Sequence, residues 1–156
     1  MENINFKNKI ILLRLDFDVP IQVYDDSYYV ENYHKINAVL DVIKNLITKE
    51  PKLIIIASQL GTPNGKFVNN LSLLLIRNYL SLKLNRKISF LAHYYPMIDL
   101  SAYNGIVMLE NLRFLNIKEN DNLVNYFCKF TDFIVDKELN CYSKNLFSKQ
   151  NFVFLQ

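Results

Sequence analysis

Five consecutive apolar residues, Leu53-Ile54-Ile55-Ile56-Ala57, stand between Pro51 and the turn residues Ser58, Gly61 and Pro63. A half-buried strand alternates apolar with polar side chains, so a run this continuous predicts a strand covered on both faces, the environment of a parallel sheet. Similar runs recur at Ile10 to Leu15, Ile88 to Leu91, Ile106 to Leu109 and Phe133 to Val135. Helical patterns lie between them. From about Lys35 to Ile47 the apolar residues Ile36, Val39, Leu40, Ile43, Leu46 and Ile47 recur every three or four positions, which puts one stripe on one face, and Pro51 closes the helix. Leu71 to Leu84 reads as a second helix and Asp121 to Phe130 as a short third. The stretch holding Asp16, Asp18, Pro20 and Asp25-Asp26-Ser27 reads as a polar, Tyr-rich loop, and Asn151 to Gln156 as a final strand.

Strands alternating with helices imply an α/β fold: three α/β/α layers around a mainly parallel, Rossmann-like sheet of five or six strands. Residues 1–156 are expected to form one domain. Ligands of such sheets bind beyond the carboxyl ends of the strands. That rule nominates Asp16 to Asp18, Ser58 to Gly65, Glu110 to Arg113 and Asp136 to Lys144.

Composition narrows the chemistry. With 51% hydrophobic and 21% charged residues the chain can bury a core, and it is neither disordered nor a membrane bundle. Lys and Arg (18) barely outnumber Asp and Glu (15) and are scattered, which argues against a nucleic-acid partner. The amino-terminal stretch is polar and mixed and the apolar runs are short, so a soluble, cytoplasmic protein without a membrane partner is expected. Cys128 and Cys141 read as free, part-buried thiols, and His34 and His93 each lack the neighbours that a metal or triad site requires. Only Gly61, Gly65 and Gly105 could let a backbone approach phosphate, which speaks against a complete nucleotide enzyme. Gly61 to Lys66 is not a phosphate-binding P-loop. Its glycines are one residue too close, and Phe67 stands where a magnesium-binding hydroxyl belongs, so it reads as a tight turn.

The strand-end segments together resemble the amino-terminal half of phosphoglycerate kinase. Leu13-Arg14-Leu15-Asp16-Phe17-Asp18-Val19-Pro20 is similar to that family's LRVDFNVP, Ala57 through Gly65 to ASHLGRPNG, and Leu109-Glu110-Asn111-Leu112-Arg113-Phe114 to LLENLRF. Lys35 to Lys44 is similar to the helix RI.AALPTIK, and Asp132-Phe133-Ile134-Val135 to DVYV. These blocks run in family order across roughly residues 8–136.

The resemblance implies an amino-terminal domain that binds 3-phosphoglycerate, in a glycolytic enzyme that moves a phosphoryl group between 1,3-bisphosphoglycerate and ADP. It also implies that Mg-ATP or Mg-ADP sits on a carboxyl-terminal domain, which is expected to be absent here and to lie, if anywhere, on a separate nucleotide-binding chain. By position, Asp16 and Arg113 keep substrate-contacting residues of the family. Lys35 stands where an arginine acts in the transition state; it keeps the charge and loses the bidentate fork. Other substrate-binding positions depart: Asp18 replaces an asparagine, Gln59 a histidine and Thr62 an arginine. At best Lys144 stands in for an arginine of the segment after the fifth strand, and Ser143 removes a histidine. Each charge-assisted hydrogen bond lost weakens an anion site by about 1.5–3 kcal/mol. The implied protein is therefore inactive alone. The alternative is a catalytically dead remnant, a pseudoenzyme serving as a weak phospho-acid binder or an interaction module.

Blander readings stand beside these. Arg113 also fits a surface ion pair, Asp16 a strand-terminating turn, and Lys35 and Lys144 solvated lysines. The Tyr24, Tyr28, Tyr29 and Tyr33 patch suits either a contact surface or a cover for the sheet edge. Phe127, Phe130 and Phe133 read as core.

Overall fold

In the computed structural model, which describes residues 4–94, 99–136 and 141–143, the apolar runs become one six-stranded sheet. Strand β1 (Ile10–Arg14) leads into an antiparallel ribbon of β2 (Ile21–Tyr24) and β3 (Ser27–Val30), followed by α1 (His34–Asn37), α2 (Leu40–Thr48) and β4 (Leu53–Ala57). Next come a 3-10 turn at Asn69–Leu71, α3 (Leu74–Leu84), β5 (Ile88–Leu91) and β6 (Gly105–Leu109). A second 3-10 turn at Leu112–Phe114 precedes α4 (Ile117–Phe130), β7 (Phe133–Val135) and β8 (Cys141–Ser143). The strand order is β5-β6-β4-β1-β7-β8. All pairings are parallel except that of β7 with β8.

The continuous Ile-rich run sits between β6 and β1, and all five of its residues are buried. Successive side chains leave a strand on opposite faces, so each strand feeds two cores. Ile11, Leu13, Ile54, Ile56, Ile106 and Met108 pack with Ile43, Leu46, Ile76 and Leu80 of α2 and α3. Leu12, Leu53, Ile55, Val107, Leu109 and Ile134 pack on the other face with Leu123, Val124 and Phe127 of α4. This is the three-layer α/β/α arrangement expected from the alternation.

Four local expectations change. The Tyr-rich stretch is not a loop: Ile21 to Tyr24 pairs with Ser27 to Val30 around Asp25 and Asp26, both at positive φ (47° and 56°). The helix expected from Lys35 to Ile47 breaks at Ala38-Val39, where the Val39 amide bonds back three residues, to the Ile36 carbonyl, at 3.3 Å. Helix α3 starts at Leu74, because Asn69–Leu71 tightens into the 3-10 turn. Helix α4 starts four residues before Asp121. Asn116 Oδ1 accepts the Glu119 amide at 3.0 Å and Glu119 Oε2 accepts the Asn116 amide at 2.8 Å, a capping box that satisfies the first turn. Phe127 is core as expected, while Phe130 and Phe133 pack at its margins. The strand expected at Asn151 to Gln156 lies outside the described residues.

Two buried polar residues directly after β6 tie the strand ends together. Glu110 is 3% exposed and Asn111 fully buried. Glu110 Oε1 accepts the Leu73 and Asn111 amides at 2.8 Å each, and Oε2 accepts the Ser72 hydroxyl at 2.6 Å. Asn111 Oδ1 accepts the Leu60 and Arg113 amides, both at 3.1 Å, while Nδ2 donates to the Leu60 and Leu71 carbonyls at 2.6 and 3.0 Å. The connection from β4 to α3 is thereby bolted to the end of β6.

Truncating Asn111→Ala strands those four backbone groups, and buried groups left unpaired cost about 1–3 kcal/mol apiece before relaxation. Urea denaturation is expected to show a loss of about 2–4 kcal/mol for Asn111→Ala and less than about 0.5 kcal/mol for Leu82→Ala, whose side chain is 77% exposed. Equal losses in the two variants would contradict the anchoring role.

Candidate functional site

The site lies where the topology reverses. The chain leaves β4 toward α3 on one face of the sheet and leaves β6 toward α4 on the other, although β4 and β6 are neighbours. Diverging connections open a crevice at the carboxyl ends of the strands, the usual ligand position in an open α/β sheet. The end of β1 joins the same place. The Leu15 amide donates to the Ala57 carbonyl at 3.0 Å, the Phe17 amide to Ser58 Oγ at 2.9 Å, and the Leu112 amide to the Ser58 carbonyl at 3.1 Å. Ser58 is buried, and it fixes the exits of β1, β4 and β6 against one another.

On this scaffold the charged side chains converge. Asp18 Oδ2 lies 3.1 Å from the Arg113 guanidinium, and Asp18 Oδ1 accepts the Gly61 amide at 2.9 Å. The same guanidinium nitrogen also donates to the Gly61 carbonyl. Lys35, on α1, donates to the Asp18 carbonyl at 3.0 Å and lies 3.4 Å from Asp16 Oδ2. Asp16 Oδ1 accepts the Asp18 amide at 3.0 Å. Two cations thus face two carboxylates. The Arg113 side chain is 19% exposed and that of Asp18 40%, so this pair is only partly screened by water.

Gly61 makes the cluster possible. Its φ is +59°, and an added Cβ would stand 2.6 Å from Leu71 Cδ2, so a larger residue would be strained here and would have to displace the Leu71 side chain. With those groups engaged, Gly61 to Gly65 is a closed turn, as the glycine spacing indicated, and the Gly65 amide donates to the Arg113 carbonyl at 3.1 Å.

Of the residues expected to serve a ligand, Asp16, Asp18, Lys35 and Arg113 come together. Gln59 and Thr62 lie on the same turn, half-buried and exposed, but neither joins the hydrogen bonds among those four. Lys144 lies outside the described residues, and Ser143 ends β8. Sequence reasoning missed Glu110, Asn111 and Ser58 as the supports of the cluster. The signal was present as polar residues immediately following fully apolar strands. It also missed a cavity of about 200 Å³ beside them, lined by Phe67, His93, Tyr94, Glu110, Asn111 and Phe114. Burial, and then the carboxylates of Glu110 and Glu119, push the Tyr94 hydroxyl's pKa far upward, so it stays protonated. Cys128 is a free, half-buried thiol whose pKa is raised by burial. Among the described residues no group of three or more His, Cys, Asp or Glu could hold a metal ion, and no helix is long and apolar enough to cross a membrane.

Comparison with known proteins agrees with this geometry. The family model described as Phosphoglycerate kinase matches residues 1–150. The phosphoglycerate kinase of Debaryomyces hansenii is 34% identical over 119 residues, covering 73% of this chain and 28% of its own length. That of Wolbachia sp. subsp. Drosophila simulans (strain wRi) is 33% identical over 148 residues, 90% of this chain and 36% of the relative. The structure of phosphoglycerate kinase from Coxiella burnetii superposes with a TM-score of 0.71 at 28% identity, over 87% of this chain and 34% of that one. The chain therefore spans about a third of the length of the relatives it matches. A family match over residues 1–150, with relatives above 30% identity and a superposition over 87% of the chain, places it in the phosphoglycerate kinase family, as an amino-terminal part of that fold.

Proposed function

We propose that this chain supplies the 3-phosphoglycerate-binding half of a phosphoglycerate kinase-type reaction, the phosphoryl transfer between 1,3-bisphosphoglycerate and ADP. One observation carries the reading: Arg113 and Lys35 meet at the crevice between the diverging connections of β4 and β6, the place where an anionic substrate fits such a sheet. Phosphoryl transfer depends on cations aimed at oxygens, and Arg113 and Lys35 are two such cations among the described residues. Mg-ATP or Mg-ADP is assigned to a separate nucleotide-binding half, because Gly61 to Lys66 lacks both the glycine spacing and the magnesium-binding hydroxyl of a P-loop. This half by itself binds without turning its ligand over.

A second reading, a non-catalytic phospho-acid binder, draws on the same geometry. Asp16 and Asp18 cancel the charges of Lys35 and Arg113, so the site holds its ligand weakly.

The first check is binding. In thermal-shift measurements, 3-phosphoglycerate at millimolar concentration is expected to raise the melting temperature, with glycerate much less effective. Ligand at a hundred times Kd stabilises by about 2.7 kcal/mol. Arg113→Ala is expected to abolish the shift, and a flat response of the native chain through tens of millimolar would contradict the binding reading. The second check is turnover. The chain alone is expected to give no ATP-dependent phosphorylation of 3-phosphoglycerate, and addition of a nucleotide-binding half is expected to restore it. Binding that persists while turnover stays absent in that mixture would favour the non-catalytic reading.

A further inference from the structure

Asp18 is held at every polar atom of its own. Its amide donates to Asp16 Oδ1, its carbonyl accepts Lys35, its Oδ1 accepts the Gly61 amide and its Oδ2 meets the Arg113 guanidinium. The carboxylate is therefore fixed before any ligand arrives, and fixing it does not depend on Arg113, since the Gly61 amide holds the other oxygen. A carboxylate or phosphate approaching this crevice would seek the same two donors, a turn amide and a guanidinium at hydrogen-bond distance. Asp18 already presents two oxygens to that pair. Arg113 is tethered as well by its bond to the Gly61 carbonyl, so its guanidinium cannot follow a ligand outward without breaking both contacts.

We propose that Asp18 sets the affinity of this site: it is an internal anion that occupies Arg113 in place of a ligand's and so fixes how weakly phosphorylated acids bind. The proposal rests on the reading that the cluster takes such acids. Substitution by asparagine keeps an oxygen for the Gly61 amide and the volume of the side chain, while it withdraws the negative charge from Arg113. Lys35 is not released in the same way, because it is held by the Asp18 main chain and by Asp16.

Isothermal titration with 3-phosphoglycerate at fixed ionic strength tests this on the full chain. Asp18→Asn is expected to bind about 10–100-fold more tightly than the native chain, the range of one charge-assisted hydrogen bond. The gain is expected to vanish in Asp18→Asn/Arg113→Met. Asp41→Asn, an equal change of net charge on α2 away from the site, is expected to alter affinity less than twofold. A measurable but unchanged affinity in Asp18→Asn would overturn the proposal and leave the phospho-acid reading standing. A gain that survives loss of Arg113, or that Asp41→Asn reproduces, would also overturn it, as an effect of net charge alone. No binding by the native chain or by Asp18→Asn through tens of millimolar would sink both. Circular dichroism verifies the fold of each variant, and Asp18→Ser, which also removes the charge and leaves a smaller polar side chain, replaces Asp18→Asn should the latter unfold.

Discussion

A carboxylate and a carboxamide buried side by side at the end of β6 hold the rest of the site in place. Taking Glu110 and Asn111 out of water is costly unless their hydrogen-bonding groups find partners, and here they find seven bonds to backbone and hydroxyl groups. Five of the seven reach the connection from β4 to α3, which carries Gly61. Without that anchor the turn would have no fixed position relative to Arg113, which follows Asn111 by two residues and gives it an amide. The scaffold of β1, β4 and β6 is set by apolar packing, but the relation between their exits is set by polar groups. In a low-dielectric interior such a network, once fully satisfied, specifies a single arrangement more sharply than packing alone.

The strands were legible because burial on both faces leaves an unmistakable trace, a run such as Leu53 to Ala57 with no polar residue in it. The β2–β3 ribbon left no such trace. Ile21 to Tyr24 is mostly exposed, so there is no buried face to produce alternation, and its turn uses Asp25-Asp26 where a glycine would have signalled positive φ. The start of α4 was readable in principle, since Asn116 and Glu119 carry capping-box spacing, but the apolar period begins only later in that segment. For the site, the residues could be named from the family segments, whereas their pairing could not. Nothing in the order Asp16, Asp18, Lys35, Arg113 tells which carboxylate meets which cation. That depends on the register that brings β1 beside β4 and on a turn conformation that only the folded chain fixes.

The same contrast separates what this chain must keep from what it can vary. Changing Glu110 or Asn111 leaves buried donors and acceptors stranded, so the penalty falls on folding itself. Gln59, Thr62 and Asp18 are half-buried or exposed, and alternatives there can be solvated. A substitution at those positions changes the charge and hydrogen bonding of the surface there and leaves the buried supports intact. Asp18 is the instructive case. Its carboxylate finds the Gly61 amide and the Arg113 guanidinium ready-made, because both are positioned by the anchor below them, and so its negative charge is accommodated instead of repelled. The donors that suit a ligand suit a side chain equally well, and a fold that preserves its supports can change the charge of its site by one residue without rebuilding anything beneath it.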